Sequence, residues 1–591
     1  AGLAAAMKLA EQGVDVDLMS LTPVKRSHSV CAQGGINSVN DQTRQAGDSE
    51  WLHFDDTVYG GDFLQHQPPV KEMCSWGPRI IDLMDRLGVP FNRTAEGFRD
   101  QRRFGGTLFK RTAFAGATTG QQLLYALDEQ VRRHEAEGKV RKHEHWEYLG
   151  MVKDSAGACR GIVAVDMRSM QVRAFPGDAV MLATGGPGLL FGRTTNSMIN
   201  TGSAAASAYL EGARYANGEM IQVHPTAIPG EDKLRLMSES ARGEGGRIWV
   251  PRAKGDAREP RRIPEPERWY FLEEKYPRYG NLVPRDVASR EIYEVCVVQG
   301  MGLEGKTMVY LDLTHIDRAT LNRKLGGILE IYEKFTGVDP REEPMKIFPA
   351  VHYSMGGLWI DYESTSNGFI NEASPRNHQT NISGLFASGE VDFQYHGANR
   401  LGANSLLSCL YGGKIGAKAM VAYACGQARR DPLPSPEARA AVRRWEEQFR
   451  RLASSAGPEN PHALHKELGE MMNEHVTLVR FNPALRAVEE RLAEMTERYG
   501  RLGNLDGSSW ANASLLFANQ LGNMLELGKV VTRGALLRDE SRGAHFKPDF
   551  PRRNDEAWLK TTLAEHSAEG PVMSFADVDV SLVKPIARKY D

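Results

Sequence analysis

Two short apolar runs that end in small residues constrain this chain more than any other feature. DAVMLATGG (Asp178–Gly186) and GLFASGE (Gly384–Glu390) read as strands feeding glycine turns. Turns of this kind let a backbone approach a ligand at the carboxyl edge of a parallel sheet. The chain also opens in mid-motif. Gly2–Gln12 reads as a helix with Leu3, Met7, Leu9 and Ala10 on an apolar side, followed by Gly13 and a strand over Val14–Met19. These are the helix and second strand of a βαβ unit, and Gly2 takes the place of the last glycine in a G-x-G-x-x-G loop. A small-residue helix start is generic by itself, and the two later turns give it weight. The expectation is an α/β, Rossmann-like dinucleotide-binding domain split along the chain. After the second turn, Ala403 to about Cys425 has helical spacing, and its amino end aims free amides and positive dipole at whatever lies there.

A chain of 591 residues that is 41% hydrophobic exceeds one core, since single cores stop growing near ~250–300 residues. The segment from Ile228 to Pro349 has its own texture and reads as an inserted α+β capping domain. Within it, PRAKGDAREPRRIPEPERW (Pro251–Trp269) reads as an exposed loop; acids interleave with its bases, which favours a solvated surface over a nucleic-acid site. After Arg430, DPLPSPEAR is a linker into a helical region, where Leu485, Val488, Leu492, Met495 and Tyr499 form one amphipathic stripe. FKPDFPRRNDEAW is proline-broken and polar and is expected to pack back on the surface. The expected limits are 1–226 and 350–430 for the two parts of the dinucleotide-binding domain, 227–349 for the cap, 431–545 for the helical domain and 546–591 for the tail.

The net charge of -2 gives no general pull toward nucleic acid or anionic lipid. Six scattered cysteines contain no C-x-x-C pair, so they read as reduced thiols, neither a disulfide framework nor an iron–sulfur cradle. No metal site is expected. No apolar run reaches the ~18 residues of a membrane span, and no signal peptide opens the chain. Any membrane contact is therefore expected to come from a partner.

Arginine and histidine gather in glycine-flanked loops: QVHPTAIPG (His224), MSESARGEGG (Glu239, Arg242), NLVPRDVASRE (Arg285), AVHYSMGG (His352) and HGANRLGANS (Arg400). An arginine fork matches a carboxylate and a histidine adds a directional donor, so five such loops suit a small dicarboxylate gripped at both ends. One more imidazole, His28, heads the loop KRSHSVCAQGGIN (Lys25–Asn37).

In order and spacing, RSHSVCAQGGIN, HPTAIPG, SESARGEGG, VPRD, HYSMGG and HGANRLGANSLL resemble the flavoprotein subunit of succinate dehydrogenases and quinol:fumarate reductases (complex II). The resemblance covers nearly the whole chain, through RDESRGAHFKPDFPRRNDEAW. TTNSMINTGSAAAS and FPAVHYSMGGLWIDY are most similar to the subgroup from menaquinone-using bacteria whose anchor is a single diheme cytochrome.

The resemblance implies that His28 carries FAD covalently through the 8α-methyl, which makes the flavin a stronger oxidant. FAD is then expected along Gly2, Ser20, Ser27, Ser29, Ala32, Gln33, Gly34 and Gly35, the Thr184–Gly185–Gly186 turn, Glu390, Arg400, and the amides of Ser405 and Leu406. Ser203 stands where other branches have Asp contacting the cofactor. The glycines that would precede Ala1 are expected to be missing through truncated numbering or disorder.

For the substrate, Arg400 and His352 are expected on one carboxylate, with His224, Ser238 and Glu239 around the other; Ser238 replaces the Thr of many members. Arg285 is implied as the acid/base fed by Glu239 and Arg242. Since an arginine is effectively always protonated, that role needs crowding by other cations and a relay; otherwise Arg285 is an electrostatic clamp. Closure of the cap would bring Arg285 to the substrate and expel water. The implied partners are an iron–sulfur subunit and a heme b membrane-anchor cytochrome passing electrons to a quinone, menaquinone by subgroup, on the cytoplasmic side of the bacterial inner membrane.

The reaction expected is succinate oxidation to fumarate. The same site run backward is a quinol:fumarate reductase, because both directions share one transition state. A non-catalytic flavin-bearing assembly subunit would not need both histidines with Arg285 and Arg400, and a soluble aspartate-oxidase-like enzyme lacks the equivalent of His28.

Overall fold

In a computed structural model, the two runs that end in glycine turns are hydrogen-bonded to each other. Val180–Leu182 lies parallel to Leu385–Ala387, with Val180 opposite Leu385 and Leu182 opposite Ala387. The structure describes residues 1–230, 234–427, 435–503 and 506–590. The opening helix spans Gly2–Glu11 and buries Leu3, Ala4, Ala5, Ala6, Met7, Leu9 and Ala10, a wider side than the four positions read from the sequence. It packs on the helix Asn404–Cys425, where a Cβ at Gly413 would stand 2.6 Å from the Ala1 carbonyl oxygen. The second strand, Val16–Ser20, begins two residues later than expected because its partner, Val140–Glu144, takes up pairing at Val16.

An antiparallel six-stranded sheet carries the inserted segment, in the order Arg235–Leu236, Ile221–Ile228, Met345–Ser354, Val309–Asp312, Arg247–Pro251 and Arg268–Trp269. Its two long strands, Ile221–Ile228 and Met345–Ser354, pair from Ile221 with Ser354 to Ala227 with Phe348, and the register shifts between Gln222 and Val223 and again between His224 and Ala227. Both expected limits of the cap, at 226/227 and 349/350, fall inside this ribbon. On the sheet pack the helices Arg285–Tyr293 and Arg318–Thr336, around Ile248, Leu272, Ala288, Leu325 and Ile347. The charged run Pro251–Trp269 is mostly exposed, with Arg258 held by Asp256 and Glu267 and Arg252 by Glu274. Exposed pairs of this kind contribute about 0–1 kcal/mol each.

Four helices, Pro436–Ala453, Pro461–His475, Asn482–Tyr499 and Ala513–Leu537, form the helical region. The linker expected after Arg430 lies partly outside the described residues. Leu485, Val488, Leu492 and Met495 are all buried. A Cβ on Gly528 of the neighbouring helix would meet Leu492 at 3.2 Å, and one on Gly522 would meet Tyr499 at 2.7 Å, so glycines let this seam close.

The tail differs from a purely surface segment. Lys547 is buried, donating to the Leu536 carbonyl and to Asp539. Beyond it a hairpin, Lys560–Ser567 with Gly570–Asp577, adds to Tyr215–Ala216. Among the described residues no helix is long and apolar enough to cross a membrane, and no group of three metal-ligating side chains occurs.

Candidate active site

A cavity of about 1020 Å³ runs from the opening helix to the capping sheet. It is lined by Gly2, Ser20, Ser27, His28, Ser29, Ala32, Gln33, Gly34, Gly35, Thr184, Gly185, Ser203, Glu390, Arg400, Ser405 and Leu406, and at its far end by His224, Ser238, Glu239, Arg285 and His352. Of the residues expected at the site, Gly186 and Arg242 stand behind this wall. Gly186 must be glycine to pass Glu390, since a Cβ would lie 2.6 Å from Glu390 Oε1.

The loop after the second strand owes its shape to close packing. Gly35 has φ +136°, and a Cβ there would meet the Ala113 carbonyl at 2.5 Å. Arg102 donates to the Gly34 carbonyl at 2.6 Å and the Gln33 carbonyl at 3.3 Å while lying 3.8 Å over the Phe114 ring. Burial pushes its pKa down to about 9. Asn37 donates to the Gly402 carbonyl (2.7 Å) and to Asn404 Oδ1 (2.8 Å), tying the loop to the start of the long helix. Ala403 precedes that helix in the left-handed region at φ 64°, and Ser405 and Leu406 of its first turn line the cavity. Arg102, Asn37, Ala403 and Asn404 were not among the expected site residues. Asn37, Ala403 and Asn404 do lie inside the motifs quoted above, whereas nothing local marks Arg102.

His28 sits in a 3-10 turn, and its Nδ1 accepts from the Ser197 amide at 3.0 Å. Glu390 accepts from the Ser354 amide at 3.0 Å, and burial raises its carboxyl to about 7. The Ser203 hydroxyl accepts from Asn523 Nδ2 at 2.6 Å.

At the far end, His224 and His352 project from the two strands of the ribbon, their rings 4.9 Å apart and edge to face. His224 Nδ1 accepts from the Thr226 amide, which leaves the proton on Nε2. That atom is buried and has no partner among the described residues, as has Arg400 Nε. Thr195 Oγ and His352 Nδ1 are 2.7 Å apart. The Arg400 guanidinium lies 4.4 Å over Tyr353 and donates to Ser405 Oγ at 3.1 Å.

Glu239 joins the cationic groups. It accepts from Arg285 Nε (2.8 Å) and Nη2 (2.6 Å), from Arg242 Nη2 (2.8 Å), and from the Gly105 amide (2.9 Å). Arg285 also donates to Gln222 Oε1 at 2.9 Å, and Gln222 in turn donates to the Arg400 carbonyl at 2.8 Å. Ser238 Oγ lies 2.9 Å from Ser240 Oγ.

Burial, and then the Arg285 charge, push both His224 and His352 far below the usual imidazole range. Burial works to raise the Glu239 carboxyl, but Arg285 and Arg242 hold it below its ordinary value. Burial, then Arg285, brings Arg400 down to about 9. Two guanidiniums, Arg285 and Arg242, pair with Glu239 and a third, Arg400, feels its charge, and the excess positive charge suits a dianion.

These directions carry a sign for binding. Imidazoles held far below 6.5 are neutral above that pH in the empty site, and a dianion bound by neutral donors draws no proton from solution. The dissociation constant of a dicarboxylate inhibitor such as malonate is therefore expected to change less than about threefold between pH 6.5 and 8. Titration of the bound flavin spectrum at several pH values checks this, and a weakening of about tenfold per unit would mean that a histidine must first charge.

Comparisons with known proteins place these features. The FAD binding domain family matches residues 1–406, and the fumarate reductase flavoprotein C-terminal family matches residues 465–590. The succinate dehydrogenase flavoprotein subunit of Bacillus subtilis (strain 168) is 57% identical over 593 aligned residues, covering 100% of this chain and 97% of that protein. The fumarate reductase flavoprotein subunit of Haemophilus influenzae is 32% identical, covering 100% of this chain and 94% of that one. Among solved structures, a mutant FrdA chain of E. coli quinol fumarate reductase superposes with a TM-score of 0.87 at 30% identity, over 99% of this chain and 96% of that chain.

Proposed function

The chain belongs to the family of succinate dehydrogenase and fumarate reductase flavoprotein subunits, and on that premise we propose that it oxidises succinate to fumarate at the far end of this cavity. The observation that carries the reading is the pair of buried donors without acceptors among the described residues, His224 Nε2 and Arg400 Nε, on two residues that line the same cavity as the glycine loop. FAD, when bound along that loop, supplies the acceptor for the hydride leaving one methylene.

The chain's own groups do the rest. Arg400 and His352 hold one carboxylate; His224 and Ser238 hold the other, with the ionised Glu239 side chain beside it occupied by Arg285 and Arg242. Arg285 takes the proton from the second methylene and passes it toward Glu239 and Arg242, with which it is already hydrogen-bonded in series. Covalent attachment through His28 is supported by its Nδ1, which accepts from the Ser197 amide; a carbon–nitrogen tether at Nε2 would leave this hydrogen bond intact.

Electrons must leave singly, and the chain carries no cysteine cluster for them. An iron–sulfur subunit therefore accepts them, and a membrane anchor with heme b passes them to menaquinone, with this chain peripheral on the cytoplasmic face. The 57% identity to a succinate dehydrogenase flavoprotein subunit supports the oxidative direction. Isolating the complex from membranes and comparing succinate:quinone with quinol:fumarate rates tests the reading. A dominant quinol:fumarate rate reverses the direction, and no rate either way with flavin loaded ends it. Visible spectra of the same sample read the hemes.

A further inference from the structure

The segment 578–590 leaves the C-terminal hairpin and crosses from one part of the molecule to another. Gln67 binds it first, with Oε1 accepting from the Leu582 and Val583 amides (both 2.8 Å) and Nε2 donating to the Val583 carbonyl (2.7 Å). Further along, Arg588 is almost wholly buried between two carboxylates. Its Nη2 donates to Asp286 at 2.6 Å, its Nε lies 3.2 Å from Asp62, and its Nη1 donates to the Gly60 carbonyl at 3.2 Å.

The two acids belong to different elements. Asp62 lies just beyond the helix Glu50–Gly60, in the dinucleotide-binding part, where Arg553 and the Gly543 amide also hold it. Asp286 is the second residue of the helix that begins with Arg285. Burial opposes the Arg588 charge, yet Asp286 and Asp62 keep its pKa well above the usual value. Tyr590 completes the contact, with its ring 5.7 Å from Tyr59 on one side and 5.2 Å from Tyr279 of the inserted segment on the other.

We propose that Arg588 and Tyr590 form a clasp that fixes the amino end of the helix Arg285–Tyr293 against the dinucleotide-binding part, making Arg588 a positioning residue for Arg285. The reasoning is geometric. Arg285 and Asp286 are adjacent, so a displacement of the Asp286 backbone moves the guanidinium that faces the substrate. A planar fork can bridge two carboxylates at once, which a single ammonium on a flexible stem does poorly. The inference rests on the reading of Arg285 as the group that exchanges the proton.

The test uses the FAD-loaded complex with Arg588→Gln and Arg588→Lys. Deuterium uptake at residues 285–293 is expected to rise in both, with uptake in the Asn482–Tyr499 helix unchanged. The rate constant kcat is expected to fall by about tenfold or more in Arg588→Gln and by less in Arg588→Lys, with KM changing less than kcat in each. If Arg588→Gln does not accumulate, Arg588→Lys alone decides. Unchanged uptake at 285–293 in the lysine variant, or a rise shared with the distant helix, overturns the clasp. Should that uptake rise locally while Arg285→Lys leaves the pH–rate profile untouched, the clasp stands and the proton role of Arg285 falls.

Discussion

Arg285→Gln is expected to lower kcat for succinate–fumarate interconversion by about 10²–10⁴-fold in both directions, in line with the loss of a positioned acid/base group. FAD content should stay near that of the parent, because the Arg285 donors go to Glu239 and Gln222. The size of the effect follows from what the side chain does in place. It is buried, heads a helix after Pro284, and divides its donors between Glu239 and Gln222. Glutamine can keep one of these hydrogen bonds but cannot exchange a proton. Arg285→Lys separates the two roles left open for this residue. A lysine gives up its proton more readily than an arginine. If the residue is the base, succinate oxidation should rise with pH through the lysine's own pKa, on a limb displaced from the parent's. If it is only a clamp, KM rises while kcat and its pH profile stay where they were.

His28→Ala should abolish covalent flavin and tilt the enzyme toward fumarate reduction. The parent polypeptide, precipitated in hot trichloroacetic acid, is expected to glow in the gel under ultraviolet light, and the variant to stay dark. An untethered flavin is the weaker oxidant, and for a two-electron couple each ~30 mV shifts the equilibrium tenfold. Succinate oxidation should therefore fall about ten- to a hundredfold more than fumarate reduction. A dark parent band, or a variant that still glows, would remove the tether from His28.

What was legible in the sequence is what local pattern controls. The strand-to-glycine turns at Ala183–Gly186 and Ala387–Gly389 announce themselves as apolar runs ending in small residues, and the stripe from Leu485 to Tyr499 through a period of 3.6. The loops bearing His224, Glu239, Arg285, His352 and Arg400 were legible as chemistry, but their meeting point was not. It depends on a strand register that sets His224 opposite Ala350, two residues before His352. Arg102 stayed hidden for a different reason. It acts by donating to backbone carbonyls, and nothing near it in sequence foretells that Gly34 will pass beneath it. Buried cations at Arg480, Arg538, Arg542 and Lys547 were likewise unreadable, since charged side chains are normally exposed and only tertiary partners bury them. The C-terminal hairpin was missed because the segment was read from its prolines and polar residues, which masked the strands that follow.

The ribbon Ile221–Ile228 with Met345–Ser354 is the covalent root of the inserted segment, and it holds His224 and His352 while Glu239, Arg242 and Arg285 sit farther out. An insert that swings on this root carries its proton machinery away and leaves the anion grips behind. The enzyme would then be disarmed before it is emptied: a molecule still held by its carboxylates has lost the partner needed to run the chemistry back. Slowly departing dianions would accumulate in that idle posture and act as brakes on turnover.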